Sequence, residues 1–209
     1  MELTDKKYKE SEVGLIPINW EVKTLGACLT RNPDYGINAP AVPYSDSLPT
    51  YIRITDISDD GRFNKSGKVS VNDIQSSNFY LEVGDIVLAR TGASVGKSYC
   101  YDSNDGALVF AGFLIRIKPD QDFLNPKYLK FFLQSNFYLN WVKENSMRSG
   151  QPGINSNEYS RLPIPIPSKS EQTAIATALS DTDALIENLE KLIAKKRSIK
   201  QGMMQELLT

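Results

Sequence analysis

The segment Leu162-Pro-Ile-Pro-Ile-Pro167, followed by a stretch with no proline at all, constrains this chain more than any other feature. Each proline pushes the residue before it into extended geometry, so residues 162–167 cannot be helical. Ser168 then offers an N-cap, and Glu171 stands at the matching third position of a capping box. From Ser168 to Leu208 the only glycine is Gly202. The spacing predicts a helix over 168–208, about 60 Å long at ~1.5 Å per residue. Its apolar or small residues recur at Ile175, Ala178, Thr182, Leu185, Leu189, Leu192, Ile199 and Met203, a 3-4 spacing broken by Lys196. Leu179, Ile186 and Ile193 widen the stripe. So long an amphipathic helix has no room to lie on one compact domain along its whole length. It is expected to pair with another long helix as a coiled coil, rather than to end an ordinary domain.

Residues 13–167 differ in kind. They hold all 11 prolines and 12 of the 13 glycines, and they read as short strands and loops. Thr50–Ile57, Asp85–Ala89 and Lys97–Tyr101 alternate apolar and polar or are rich in β-branched types, so each reads as a strand. Ala107–Ile117 reads as one or two core strands broken at Gly112. Asn125 as N-cap and Pro126 at the first helical position open a helix running to Asn145. Its aromatic residues Phe131, Phe132, Phe137 and Trp141 read as core. The fold class is therefore α+β: a mixed, β-rich domain with a few helices over 1–167, then a long C-terminal coiled-coil helix over 168–209.

The chain has no histidine, which excludes Ser-His-Asp and Cys-His catalysis and His-ligated zinc. Two widely separated cysteines, Cys28 and Cys100, leave no cysteine-only zinc site and read as buried thiols of a reducing compartment. No run of about 18 apolar residues is present, and Met1–Glu12 is charged rather than signal-like. These features point to a cytoplasmic protein with no membrane contact. The net charge is −1, so any nucleic-acid affinity must come from local clustering of bases or from a partner.

Two segments imitate catalytic motifs. Gly92-Ala-Ser-Val-Gly96-Lys97-Ser98 has three residues between its glycines where a phosphate-binding loop needs four, and strand-like sequence follows it. Asn32-Pro33-Asp34-Tyr35 has aspartate where the loop of adenine amino-methyltransferases has a second proline, and it reads as a turn. No catalytic, cofactor or metal residue is assigned.

Four segments, in order, resemble type I restriction-modification specificity subunits. They are Gly14–Val22 (GLIPINWEV), Tyr51–Ser58 (YIRITDIS) before a turn at Asp59-Asp60-Gly61, Leu81–Lys97 (LEVGDIVLARTGASVGK), and Gln151–Pro167 (QPGINSNEYSRLPIPIP) running on into the long helix. Members look like two target-recognition domains alternating with two antiparallel helices. The resemblance implies a non-catalytic subunit that reads half of a bipartite DNA site. It also implies partners: double-stranded DNA, modification subunits that hold the S-adenosylmethionine, and a restriction subunit. This sequence has one domain and one helix, so it corresponds to half of that plan.

Within that reading, basic and polar loop residues are the candidates for DNA contact, since lysine and arginine fix register on phosphates and polar side chains read base edges. The first group is Arg90, Thr91, Ser94 and Lys97. The second is Arg148, Ser149 and Gln151, and the third is Arg53, Thr55 and Asp56. The partner face is Ile175, Leu179, Thr182, Leu185, Ile186, Leu189, Leu192, Ile193, Ile199 and Met203, through which a homodimer is expected. Two other readings compete: a fragment of a fused enzyme, and a decoy half-subunit that binds modification subunits without reading DNA.

Overall fold

A computed structural model describes residues 7–208; the charged start Met1–Glu12 lies outside the described residues as far as residue 6. The strands are β1 (Tyr8–Ser11), β2 (Gly14–Pro17), β3 (Glu21–Thr24), β4 (Asp34–Tyr35), β5 (Ala41–Pro43), β6 (Thr50–Ile52), β7 (Val69–Val71), β8 (Ile86–Ala89), β9 (Ser98–Cys100), β10 (Leu108–Phe110), β11 (Leu114–Ile117) and β12 (Pro163–Ile166). The helices are α1 (Pro126–Phe132), α2 (Asn136–Asn145), α3 (Ser156–Ser160) and α4 (Lys169–Leu208). The fold is α+β, with a long C-terminal helix.

Two four-stranded sheets, in orders β10-β6-β7-β5 and β4-β11-β8-β9, form the body. Successive side chains of a strand point to opposite faces. In β8, Ile86 and Leu88 pack with Ile115, Leu129, Tyr138 and Ile164 beneath the helices, while Val87 and Ala89 pack with Ile52, Leu108 and Phe110. Both faces are covered, which explains why β8 reads as an unbroken apolar run. β12 pairs only with β3, Pro163 opposite Thr24 and Ile166 opposite Glu21. Such an edge position tolerates prolines, which cannot donate to a second ladder. This pairing ties the end of the domain to its beginning.

Two of the expected elements change in extent. The helix expected over Asn125–Asn145 is two helices: α1 ends at Phe132, and Ser135 caps α2 by accepting from the Tyr138 amide at 3.3 Å. The strand expected over Thr50–Ile57 stops at Ile52, because the Asp56 carboxylate accepts from the Arg53 amide at 2.9 Å and turns Ile54–Asp56 into a 3₁₀ helix. The break at Gly112 falls between β10 and β11 as expected. Cys28 and Cys100 are both free thiols.

The capping box at the start of α4 forms: Glu171 accepts from the Ser168 amide at 3.0 Å, and Ser168 Oγ accepts from the Glu171 amide at 3.3 Å. The first turns of α4 are rooted in the domain. Fully buried Gln172 donates to the carbonyls of Phe123 and Pro167 and accepts from the Asn125 amide. Ile175 and Ala176 pack on the core. Lys130 reaches Asp183 at 3.8 Å. Further along, Leu185, Leu189, Leu192, Ile193, Ile199 and Met203 all stand exposed. No helix among the described residues is long and apolar enough to cross a membrane.

Candidate nucleic-acid interface

The C-terminal ends of β6, β8 and β10 converge on the turn that leads into β11. β6 and β10 run parallel, with Ile52 opposite Phe110, and the Ala111 amide donates to Ile52. β8 and β11 run antiparallel, with Ala89 opposite Leu114, and the Arg90 amide donates to Phe113. Topology therefore brings Arg53, Arg90 and Phe113 to one edge. Phe113 stands 58% exposed at the tip of the turn. A groove of about 380 Å³ beside it is lined by Ile37, Tyr51, Arg53, Thr55, Ala111 and Phe113, among others. Gly36 lies so close to this turn that a Cβ there would stand 2.3 Å from the carbonyl oxygens of Phe110 and Ala111. Only glycine allows that approach.

The second candidate loop lies against the first. The Gly92 amide donates to Pro152 and the Ile154 amide to Arg90, and Thr91 Oγ1 donates to Pro152 at 3.4 Å. The Gln151 amide nitrogen stands 2.9 Å from where a Cβ on Gly92 would be. Gly92 has a positive φ of 69°, which also favours glycine. Thr91, Gln151 and Arg90 thus share one surface with Tyr35, whose ring lies 4.7 Å beneath the Arg90 guanidinium. Burial would push the Tyr35 phenol up, but hydrogen bonds from Ser156 and the Arg90 cation bring it below its ordinary value.

Two tyrosines hold the β8–β9 loop from behind. Tyr138 donates to the Gly96 carbonyl at 2.7 Å and Tyr159 to the Ala89 carbonyl at 2.8 Å. Burial raises both phenols well above their ordinary value, so both are neutral donors. The loop they fix is the false phosphate-binding motif. Its Gly92–Ser94 segment is one 3₁₀ turn, followed by strand β9, so no helix dipole faces it.

The candidate cations are not equivalent. Arg53 grips Asp56 through Nε at 2.9 Å and Nη2 at 2.8 Å, and buried Asp56 faces inward. Thr55 Oγ1 donates to the same carboxylate at 3.4 Å. Lys97 points away from the edge to Asp59, at 2.8 Å, and holds that carboxyl below its usual range. Arg148 pairs with Glu158 at 2.5 Å and donates to the carbonyls of Asn145 and Met147. The Ser94 carbonyl accepts from the Lys97 amide, and Ser149 and Gln151 are exposed. Arg90 alone of these four makes no ion pair among the described residues.

Arg90→Ala is accordingly expected to weaken DNA binding and to lower the slope of log affinity against log salt by about 1, the loss of one phosphate contact. Lys97→Ala should change the slope less, because Lys97 is already paired with Asp59 and offers less of its charge to a phosphate. Titrations of labelled DNA at several salt concentrations measure both. An unaltered slope in Arg90→Ala would remove this side chain from the interface.

Sequence reasoning missed Tyr35, Phe113, Tyr138 and Tyr159. It also missed the clamp behind Tyr35, where Arg116 donates to Asp34 Oδ1 at 3.1 Å and Oδ2 at 2.6 Å. Asp34 and Tyr35 were expected in a turn and instead form β4, paired with β11. Among the described residues, no three metal-ligating side chains cluster.

A family model described as the type I restriction modification DNA specificity domain matches residues 17–196. The chain is 30% identical to a protein named as the MjaX type I restriction enzyme specificity subunit of Methanocaldococcus jannaschii, across 98% of this chain and 49% of that relative. It is 26% identical to the StySPI specificity subunit of Salmonella potsdam, across 90% and 41%. The fold is similar to the HsdS subunit from Thermoanaerobacter tengcongensis, with a TM-score of 0.62 and 18% identity over 91% of this chain and 48% of that one. It is also similar to the type I S subunit from M. genitalium, with a TM-score of 0.58 and 21% identity over 87% and 43%. The chain spans about half the length of the curated relatives it matches. Those relatives carry the name of specificity subunits, the non-catalytic role expected of this chain. With most of its length matched, the chain belongs to the family of type I restriction-modification DNA specificity domains.

Proposed function

We propose that this chain reads one half of a bipartite DNA site and carries adenine-methyltransferase subunits on its long helix, as a homodimer acting in the cytoplasm. The observation that carries the reading is the convergence of Arg53, Thr55, Arg90, Thr91 and Gln151 around the exposed Phe113. Loops at one edge of a rigid body can present base-reading side chains, while Arg90, which makes no ion pair among the described residues, supplies a cation for the backbone. The chain supplies sequence choice and no chemistry; S-adenosylmethionine sits on the modification subunit. A near-neutral chain with three of these four cations already paired binds DNA weakly alone, so the partner contributes much of the affinity.

Co-expression with a type I modification subunit, followed by plasmid methylation and mapping of the methylated adenines, tests this reading. The expected product is methylation at an interrupted palindrome, because two identical domains read two identical half-sites. A complex that forms but neither binds nor methylates DNA would make the chain a decoy. Absence of a complex would overturn the scaffold role.

A further inference from the structure

Phe113 stands in the turn between β10 and β11, a kind of position dominated by glycine, proline, asparagine, aspartate and serine. Its surroundings are fixed. The Leu114 amide donates to the Ala111 carbonyl at 2.8 Å and closes the turn, and both residues are buried. Residues 36–38 pack against the turn so closely that a Cβ on Gly112 would stand 3.3 Å from the Ile37 carbonyl oxygen. The Phe113 carbonyl accepts from the Arg90 amide at 3.1 Å, so the aromatic residue and the arginine are presented together. An exposed ring held on so rigid a turn costs little further ordering when it meets a partner.

The groove beside Phe113 is apolar where solvent reaches it, lined by Ala39, Ala41, Ile54 and Ala111 among others. Its polar groups are bound within the protein. The Tyr51 hydroxyl donates to the Ile37 carbonyl at 2.8 Å, and Arg53 and Thr55 are both held by Asp56. Such a wall is a poor reader of a purine edge or of the cytosine amine, each of which needs a hydrogen-bonding partner. It suits the one apolar group that B-DNA shows in its major groove, the C5-methyl of thymine. Asn38 also lines the groove, is exposed, and makes no side-chain hydrogen bond among the described residues. Asparagine is a bidentate partner for adenine, the base that pairs with thymine. A protein interface would need a larger apolar core than one phenylalanine and a few alanines flanked by arginines.

We propose that Phe113 and the alanine-lined groove receive the methyl group of a thymine, so that each half-site contains a thymine recognised by that methyl. This rests on the DNA-reading proposal above and adds a base and the residue that selects it.

Replacement of thymine by uracil, which lacks only the methyl, tests it. The complex with a type I modification subunit is assembled, its site is selected from random duplexes, and each thymine of one half-site is replaced in turn. One replacement is expected to lower affinity about fourfold, the worth of one buried methyl group, and the others to have little effect. Phe113→Ala should abolish the preference for thymine over uracil at that position alone. Phe113→Leu, which keeps an apolar contact, should retain it. Phe113 is 58% exposed, so neither change opens the core. A half-site without thymine, or one in which no replacement lowers affinity, would overturn the proposal and leave DNA reading intact. So would Phe113→Ala with an undiminished preference. An equal fall for thymine and uracil duplexes in Phe113→Ala would make the ring a wedge between base steps and overturn the methyl reading. Release of the modification subunit by Phe113→Ala would make the turn a protein contact and overturn it too. A complex that selects no site would overturn both this proposal and the DNA reading.

Discussion

A chain carrying Leu185→Asp and Leu189→Asp is expected to lose assembly altogether while its domain stays folded. Both leucines are exposed in the single chain, 59% and 49%, so the domain does not use them. In a two-fold pair each change occurs twice, removing four apolar side chains from the seam. Burial of a leucine is worth about 1.5–3 kcal/mol, so the loss amounts to about 6–12 kcal/mol before the cost of burying carboxylates. A micromolar dimer is held by only about 8 kcal/mol. The loss is comparable to or larger than the whole association energy, so light scattering should report one copy at every accessible concentration. Compared at a concentration where the wild type is also a single copy, the unfolding free energy of the domain should change by no more than an ordinary surface substitution, about ±0.5 kcal/mol. A dimer that survives the double change would place the contact elsewhere on the chain.

The parts of this structure legible in the sequence are those set by neighbours in the chain. The helix α4 was legible because its period, its cap at Ser168 and the proline run before it are all local signals. The edge of loops was only half legible. The Arg90–Lys97 segment could be picked out by composition, but its four named residues do not act together. Arg90 and Thr91 stay at the edge while Lys97 turns away to Asp59. That choice is made by an aspartate on a distant turn, and no spacing rule reports it. The same holds for Asp34, which lies 82 residues from Arg116, and for Tyr159, which lies 70 residues from the carbonyl it holds. The break between α1 and α2 has no glycine or proline to announce it, only a serine that could equally sit inside a helix. Pairing across the fold, rather than propensity, decided each of these.

The second large effect belongs to that distant clamp. Arg116→Met is expected to destabilise the chain by about 3–5 kcal/mol, the usual cost of leaving a buried charge without its partner. Arg116 is 5% exposed and donates to Asp34, to the Tyr80 carbonyl at 2.9 Å and, more distantly, faces Asp85 at 3.7 Å. Asp34 is partly exposed and can regain water. Asp85 is buried and would keep only Lys118, at 3.5 Å, as a cation. Burial already raises the Asp85 carboxyl above its ordinary value, against the opposing pull of Lys118 and Arg116. Removing Arg116 raises it further. A carboxyl whose folded pKa lies above its unfolded one binds its proton more tightly when folded, so acidification through that pKa favours the folded state. The deficit of Arg116→Met relative to wild type should therefore be largest near neutral pH and shrink as pH falls, and Asp85→Asn added to it should recover part of the loss. Urea unfolding of the three chains at several pH values measures this. A deficit independent of pH would mean that lost packing, not the stranded carboxylate, carries the effect. Because the same arginine holds β4 in place, the variant should also loosen Tyr35 beneath Arg90, so that DNA affinity falls even where the domain remains folded.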